Sequence, residues 1–383
     1  MIGSVIARLG GRAIEERQFA AGANNFNLVR LLLASFVIWS HSVWLLNGGV
    51  ERDEISDLVG HTVAYLAVDG FFFVSGMLVS QSLFRQSGVL RFAALRIGRI
   101  WPGLAVSLLG TIAVFALLSG RPLAYLADRE TLLFLFKNLA QIKAHYFLPG
   151  LAPGDPPLVV NGSLWTIPWE LRCYVVLALF YAVVAAWRAR ALAAVALASV
   201  AACAAWALAF AFSPVLPDVS QGFGYNLAIW MRMWGCFSTG IVAAIWWRWI
   251  AIVPWGPVPL WLGAWVEHQW AGTALLAPLA MFYTVLVVAF GQRAERAATA
   301  GWPDFSYGVY IYGFPVMIVV QLAWPMESHP WLALATLAAT VPVAALSWFL
   351  VEKPALGAAK RLSKRLPAPS RSAVPDDPGG ARV

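Results

Sequence analysis

Windows of about 20 residues dominated by Leu, Val, Ala, Phe and Trp recur along nearly the whole chain, each long enough to cross a hydrocarbon core of roughly 30 Å as a helix. They fall at 27–46, 62–83, 97–119, 165–187, 191–212, 226–247, 250–266, 272–291, 305–324 and 331–351. The window at 250–266 is the weakest, being short and broken by Pro254, Pro257 and Pro259. A soluble domain cannot hide so much apolar surface: 60% of the residues are hydrophobic and 12% charged, where soluble domains run near 45–50% and 25%. The fold class expected is therefore all-α, a polytopic transmembrane helical bundle of about ten spans. Arg30 and His41 lie inside the first window and no small-residue cleavage site follows it, so it reads as a retained span rather than a signal peptide. Cys173, Cys203 and Cys236 all fall in apolar windows without a CxxC pair, which points to packing rather than disulfide or metal chemistry.

Charge orients the spans. Arg8, Arg12 and Arg17 precede the first, whereas the loop after it carries Glu51, Asp53, Glu54 and Asp57 against a single Arg52. By the positive-inside rule the N-terminus is cytoplasmic. The alternation continues with Arg85, Arg91, Arg96 and Arg99 after span two, Arg188 and Arg190 after span four, Arg248 after span six, and Arg293 and Arg296 after span eight. Lys353, Lys360, Arg361, Lys364 and Arg365 place the C-terminus inside as well. The expected organisation is a cytoplasmic segment 1–25, a membrane domain 26–354 and a cytoplasmic tail 355–383, largely disordered and without an appended soluble domain. The long connection 120–164 exceeds ordinary loop length and is expected to hold an interfacial helix near 130–146 and part of a site mouth. The net charge of +8 sits where topology and anionic lipid would place it and calls for no nucleic-acid partner.

Ionisable groups inside spans are costly and mark candidate sites. Arg30 and His41 are eleven residues apart, three helical turns, so they share one face of the first span about 16 Å apart along its axis. Glu170 lies about five residues inside the outer end of span four, a depth of roughly 8 Å and similar to that of His41, so the two can meet at one level, while Asp69 enters span two from the same side slightly deeper. A carboxylate that orients the imidazole would make His41 a general base towards a hydroxyl. Spacing leaves open which carboxylate that is. It equally allows Arg30 to snorkel, His41 to be a satisfied core histidine, and Glu170 and Asp69 to cap helix ends. His61, His145, His268 and His329 show no metal-ligand spacing, so no metal site is expected.

The same residues carry a resemblance. Arg30 with His41 resembles the Arg-x10-His signature of the membrane-bound acyltransferase 3 family. Phe71-Phe72-Phe73-Val74-Ser75-Gly76, Arg96-Ile97-Gly98-Arg99-Ile100-Trp101-Pro102, Leu164-Trp165-Thr166-Ile167-Pro168-Trp169-Glu170 with Tyr174, Ser306-Tyr307-Gly308-Val309-Tyr310 and Glu352-Lys353-Pro354 follow in the family's order. Asn27 stands where Asp is common, and Gly313 where His is usual. The resemblance implies a multi-pass protein of the bacterial inner membrane that moves a short acyl group, acetyl being the commonest, from cytoplasmic acyl-CoA to a hydroxyl of a glycan or lipid-linked saccharide. It implies catalytic roles for His41, Glu170 and Asp69, and coenzyme A binding by Arg30, Arg96 and Arg99. Ser75-Gly76 and the phenylalanine run are expected to serve close helix packing. Membrane lipid and a second copy of the chain are the other expected partners. The alternative is a transporter or flippase, since intramembrane Arg, His and Asp also line translocation paths.

Overall fold

A computed structural model describes residues 10–19, 23–50, 52–86, 88–184, 189–212, 222–291 and 302–366. Arg8, Arg188, Arg293, Arg296 and most of the tail expected to be disordered lie outside the described residues. The chain is mostly helical, 78%, and the described residues include four strand pieces of two residues each. In chain order the elements are β1 (Arg12–Ala13), α1 (Phe26–Leu46), α2 (Ser56–Val59), α3 (Val63–Gln86), α4 (Val89–Leu118), α5 (Pro122–Ala127), α6 (Arg129–Ala140), β2 (Phe147–Leu148) and β3 (Leu158–Val159). There follow α7 (Thr166–Val184), α8 (Ala189–Phe212), α9 (Gly222–Ile245), β4 (Ala251–Ile252), α10 (Pro257–Ala271), α11 (Leu276–Phe290), α12 (Ser306–Ala323), α13 (His329–Ser347) and α14 (Lys353–Arg365). Two antiparallel ladders, β1 with β4 and β2 with β3, pair Arg12 with Ile252 and Phe147 with Val159.

Among the described residues, seven helices are long and apolar enough to cross a membrane: Phe26–Leu46, Val63–Leu83, Val89–Leu118, Gly162–Val183, Asn226–Ile245, Ser306–Ala323 and His329–Arg365. The windows at 191–212 and 272–291 hold the shorter apolar stretches Ala193–Ala205 and Leu276–Phe290. The window at 250–266 only overlaps α10, which is 15 residues long and runs to Ala271. A helix of 15 residues is about 22 Å long, short of a hydrocarbon core. The turn chemistry explains the shortfall. Pro257 starts α10, and Gly272, in the left-handed region at φ 65°, stops it before α11 begins.

The centre of the bundle is α3. Of its apolar window 72% is buried, against 22% for the last span, so α3 faces protein all round while α13 and α14 lie at the periphery. Small residues bring its neighbours close: a side chain on Gly76 would run into the carbonyl of Phe237, and one on Gly240 into that of Phe73. Phe73 stacks on Phe282 of α11 at 4.7 Å between ring centroids, which seals the opposite flank.

The segment 120–164 departs from an outer loop with a flat interfacial helix. Asp128 caps α6 by accepting from the Glu130 amide at 2.8 Å, and α6 then runs back along α4 until the Leu139 carbonyl accepts a hydrogen bond from Trp101 at 3.0 Å. The chain returns through the β2–β3 hairpin. Asn161 donates to the Ile311 carbonyl at 2.9 Å, and Gly162 lies against Phe314, so the segment enters the bundle before α7 starts. A backbone that enters a bundle has to satisfy its polar groups on protein, and these hydrogen bonds do so.

Candidate active site

The ionisable residues sort into levels along the bundle. Towards the Arg30 end of α1 lies a network around Asp304, just before α12. Its carboxylate accepts from Arg30 of α1 at 2.9 Å and from Arg99 of α4 at 2.7 Å, and Ser306 donates to it at 2.5 Å. Arg99 also reaches Glu352 at 3.1 Å and lies under the Trp348 ring, 5.5 Å away. Trp348 and Glu352 bound a five-residue π-helical turn, Trp348–Glu352, that joins α13 to α14 and turns both side chains onto one guanidinium. Burial raises the Asp304 pKa, but the charges of Arg30 and Arg99 and the Ser306 hydrogen bonds outweigh it and hold the carboxyl below its ordinary value.

One level up, Glu170 of α7 accepts from Ser75 of α3 at 2.8 Å and from the Tyr174 hydroxyl, and Ser75 and Tyr174 lie 2.9 Å apart. The Arg96 guanidinium sits 5.8 Å from the centroids of both Phe92 and Tyr174. It makes no ion pair among the described residues, and its buried Nε has no partner. Above these, Tyr310 of α12 and Thr166 at the start of α7 share a 2.7 Å hydrogen bond. His41 stands highest, its ring edge-on to Phe314 at 4.9 Å. No hydrogen bond or ion pair engages its imidazole among the described residues.

Glu170 therefore does not meet His41. The imidazole is level with Phe314, Thr166 with Tyr310 one turn lower, and Glu170 one turn further down α7, a drop of about 12 Å. The entry of 161–165 into the bundle lowers α7 relative to the depth that chain position implies. Asp69 is also elsewhere. It is 1% exposed, accepts from Arg232 of α9 at 2.8 Å and receives the Cys236 thiol at 3.3 Å, while its Oδ2 stays unpartnered. Arg232 lies over the Tyr65 ring and donates to the Tyr65 carbonyl at 2.8 Å.

Arg232 and Asp304 escaped the sequence reading. Counting charges at the ends of windows passes over a cation six residues inside one. Asp304 is a lone acid two residues before the Ser306-Tyr307-Gly308 block. Both departures from the family pattern have local explanations. Asn27 accepts from Arg30 at 3.0 Å and donates to the Trp302 carbonyl at 2.8 Å, while Asp304 supplies the missing charge. At Gly313 a side chain would run into Ile38, so α12 can approach α1 beside His41 only without one. Ser75, expected as a packing residue, places its hydroxyl on Glu170 while Gly76 makes the close approach. Among the described residues no group of three His, Cys, Asp or Glu is placed to hold a metal ion.

The chain is similar to known proteins over most of its length. The chain is 30% identical to nodulation protein 10 of Rhizobium leguminosarum bv. viciae over 363 residues, 87% of this chain and 93% of that protein. It is 26% identical to an O-acetyl transferase of Shigella phage Sf6 over 359 residues, 86% of this chain and 95% of the relative. No solved structure matches it. The family profile described as an acyltransferase domain matches residues 24–350, a range that begins just before α1 and ends inside the π-helical turn. With that range covering nearly the whole chain and the arginine, Glu170 and His41 blocks in their family order, the chain belongs to the acyltransferase 3 family.

Proposed function

We propose that this acyltransferase is an integral protein of the bacterial inner membrane that moves a short acyl group, acetyl first among them, from cytoplasmic acyl-CoA to a hydroxyl of a cell-surface or exported glycan. The observation that carries the reading is on α1: one face holds Arg30 in a network of arginines at its start and, about 16 Å along the axis, an imidazole with no protein partner. The name O-acetyl transferase carried by the phage relative supports acetyl as the group and oxygen as the acceptor.

The residues have distinct tasks in this reading. Arg96, which no carboxylate occupies, offers a planar fork of donors to a phosphate of the donor. Arg30 and Arg99, clamped by Asp304 and Glu352, add positive potential and hold the lower end of the path together. His41 removes the proton from the acceptor hydroxyl as its oxygen attacks the thioester carbonyl. The carbon–sulfur bond breaks, the thiolate takes the proton back from His41, and the products are an ester and coenzyme A thiol. Asp69 stands outside this chemistry, as the partner that makes a buried Arg232 tolerable between α3 and α9.

Purified protein in proteoliposomes, given radiolabelled acetyl-CoA and a cell-envelope glycan fraction, is expected to transfer label to the glycan. His41→Ala is expected to abolish the transfer. Full transfer by that variant, or movement of glycan across the bilayer without labelling, would sink the proposal.

A further inference from the structure

We infer that Glu170 is the receptor for an amide N–H of the donor's pantetheine arm, specifically the amide further from sulfur; this rests on acyl-CoA being the donor. Oε1 of Glu170 is taken by the Ser75 and Tyr174 hydroxyls. Oε2 makes no hydrogen bond among the described residues, yet it is not sealed away from its surroundings. A carboxylate only accepts hydrogen bonds, and one left half-paired inside a helical bundle is costly until a donor reaches it. Two fixed hydroxyls aim the free oxygen, so the group is built to receive an N–H or O–H from a ligand.

Position decides which ligand. Glu170 lies two turns below His41 towards the arginines, one turn from Thr166 and its hydrogen bond to Tyr310. An acceptor glycan arriving from the His41 end would have to pass the imidazole to reach it. A donor entering beside the arginines passes it on the way in. With the acceptor oxygen between imidazole and thioester, the sulfur sits about 6 Å below His41. The second amide nitrogen of an extended pantetheine arm lies about 9 Å beyond the sulfur. The sum, about 15 Å, exceeds the drop of about 12 Å from His41 to Glu170 by about one hydrogen-bond length, the separation of the amide nitrogen from Oε2. One turn lower again the Tyr174 ring lies beneath the unpaired Arg96 guanidinium, where the arm gives way to phosphate.

The test compares two donors in the proteoliposome assay: acetyl-CoA, and S-acetyl-N-acetylcysteamine, which keeps the thioester and first amide but lacks the second. In Glu170→Gln the side-chain oxygen still accepts from Ser75 and Tyr174, which turns the amide NH2 towards the arm, donor facing donor. The expected result is a rise in KM for acetyl-CoA of about tenfold with kcat held, and an unchanged kcat/KM for the truncated donor. Equal loss with both donors, or no loss with acetyl-CoA, would overturn the assignment. Should that variant not fold, Tyr174→Phe keeps the ring under Arg96 and removes one of the two hydroxyls. It is expected to raise the acetyl-CoA KM less and in the same donor-selective way, and an unselective effect would count against the assignment. Wild-type protein that rejects acetyl-CoA would instead overturn the proposed function, a result read before any variant is made.

Discussion

His41 and Asp304 answer to opposite physics. The imidazole has no protein partner among the described residues, so its removal strands no buried charge. His41→Ala is expected to lower transfer by about a hundredfold or more, the range for loss of a general base, with an unchanged melting temperature in detergent. Asp304 neutralises two guanidinium groups at once. Asp304→Asn leaves Arg30 without a carboxylate and Arg99 with Glu352 alone, and is expected to cost about 3 kcal/mol of stability, seen as a lower melting temperature. The pH dependence has a definite sign. Because Arg30 and Arg99 hold the folded carboxyl below its ordinary value, its contribution is full above the unfolded pKa of about 4 and is lost as pH falls through the folded value. Melting curves of wild type and Asp304→Asn are therefore expected to differ most above about pH 5 and to converge in more acid buffer.

At the scale of elements, the glycines of α3 and α9 carry the close contact that the site depends on. Ser75 can reach Glu170 of α7 only while Gly76, one residue on, lets the Phe237 carbonyl approach. Gly240→Val is expected to destabilise the protein by about 3 kcal/mol, because the obstacle is the backbone of Phe73 and not a side chain that can move. Gly110 in α4 is the matched control, with nothing within 4 Å of where its side chain would be. Gly110→Ala is expected to be neutral or to stabilise by about 0.5 kcal/mol through helix propensity. Thermal melts of the two variants side by side would check both. The re-entrant path of 120–164 belongs to the same scale. Its turn residues and its excess length were readable, but its descent depends on Trp101 and Ile311, which lie 38 and 150 residues away from their partners Leu139 and Asn161.

Over the whole molecule, the basic residues of the sequence gather at one predicted side of the spans, and the orientation this implies can be tested directly. The native cysteines are buried, so they give a silent background for thiol labelling. A cysteine at Lys360, exposed in α14, is expected to react with a membrane-impermeant reagent only after permeabilisation, and one at Ala152, exposed beyond β2, in intact cells. The reverse pattern would invert the orientation. The sequence by itself determined the membrane class, the approximate windows of the spans, the family, and the stripe from Arg30 to His41, because composition and the 3.6-residue period act locally. The tertiary structure alone decided which charges meet. Glu170 went to Ser75 and Tyr174, Asp69 to Arg232, and Asp304 to two arginines from different helices. A buried charge is satisfied by whichever group packing brings within about 3 Å. That choice depends on the relative heights of helices, set here by a loop that enters the bundle and a glycine that admits a neighbour, and such heights leave no period in the sequence.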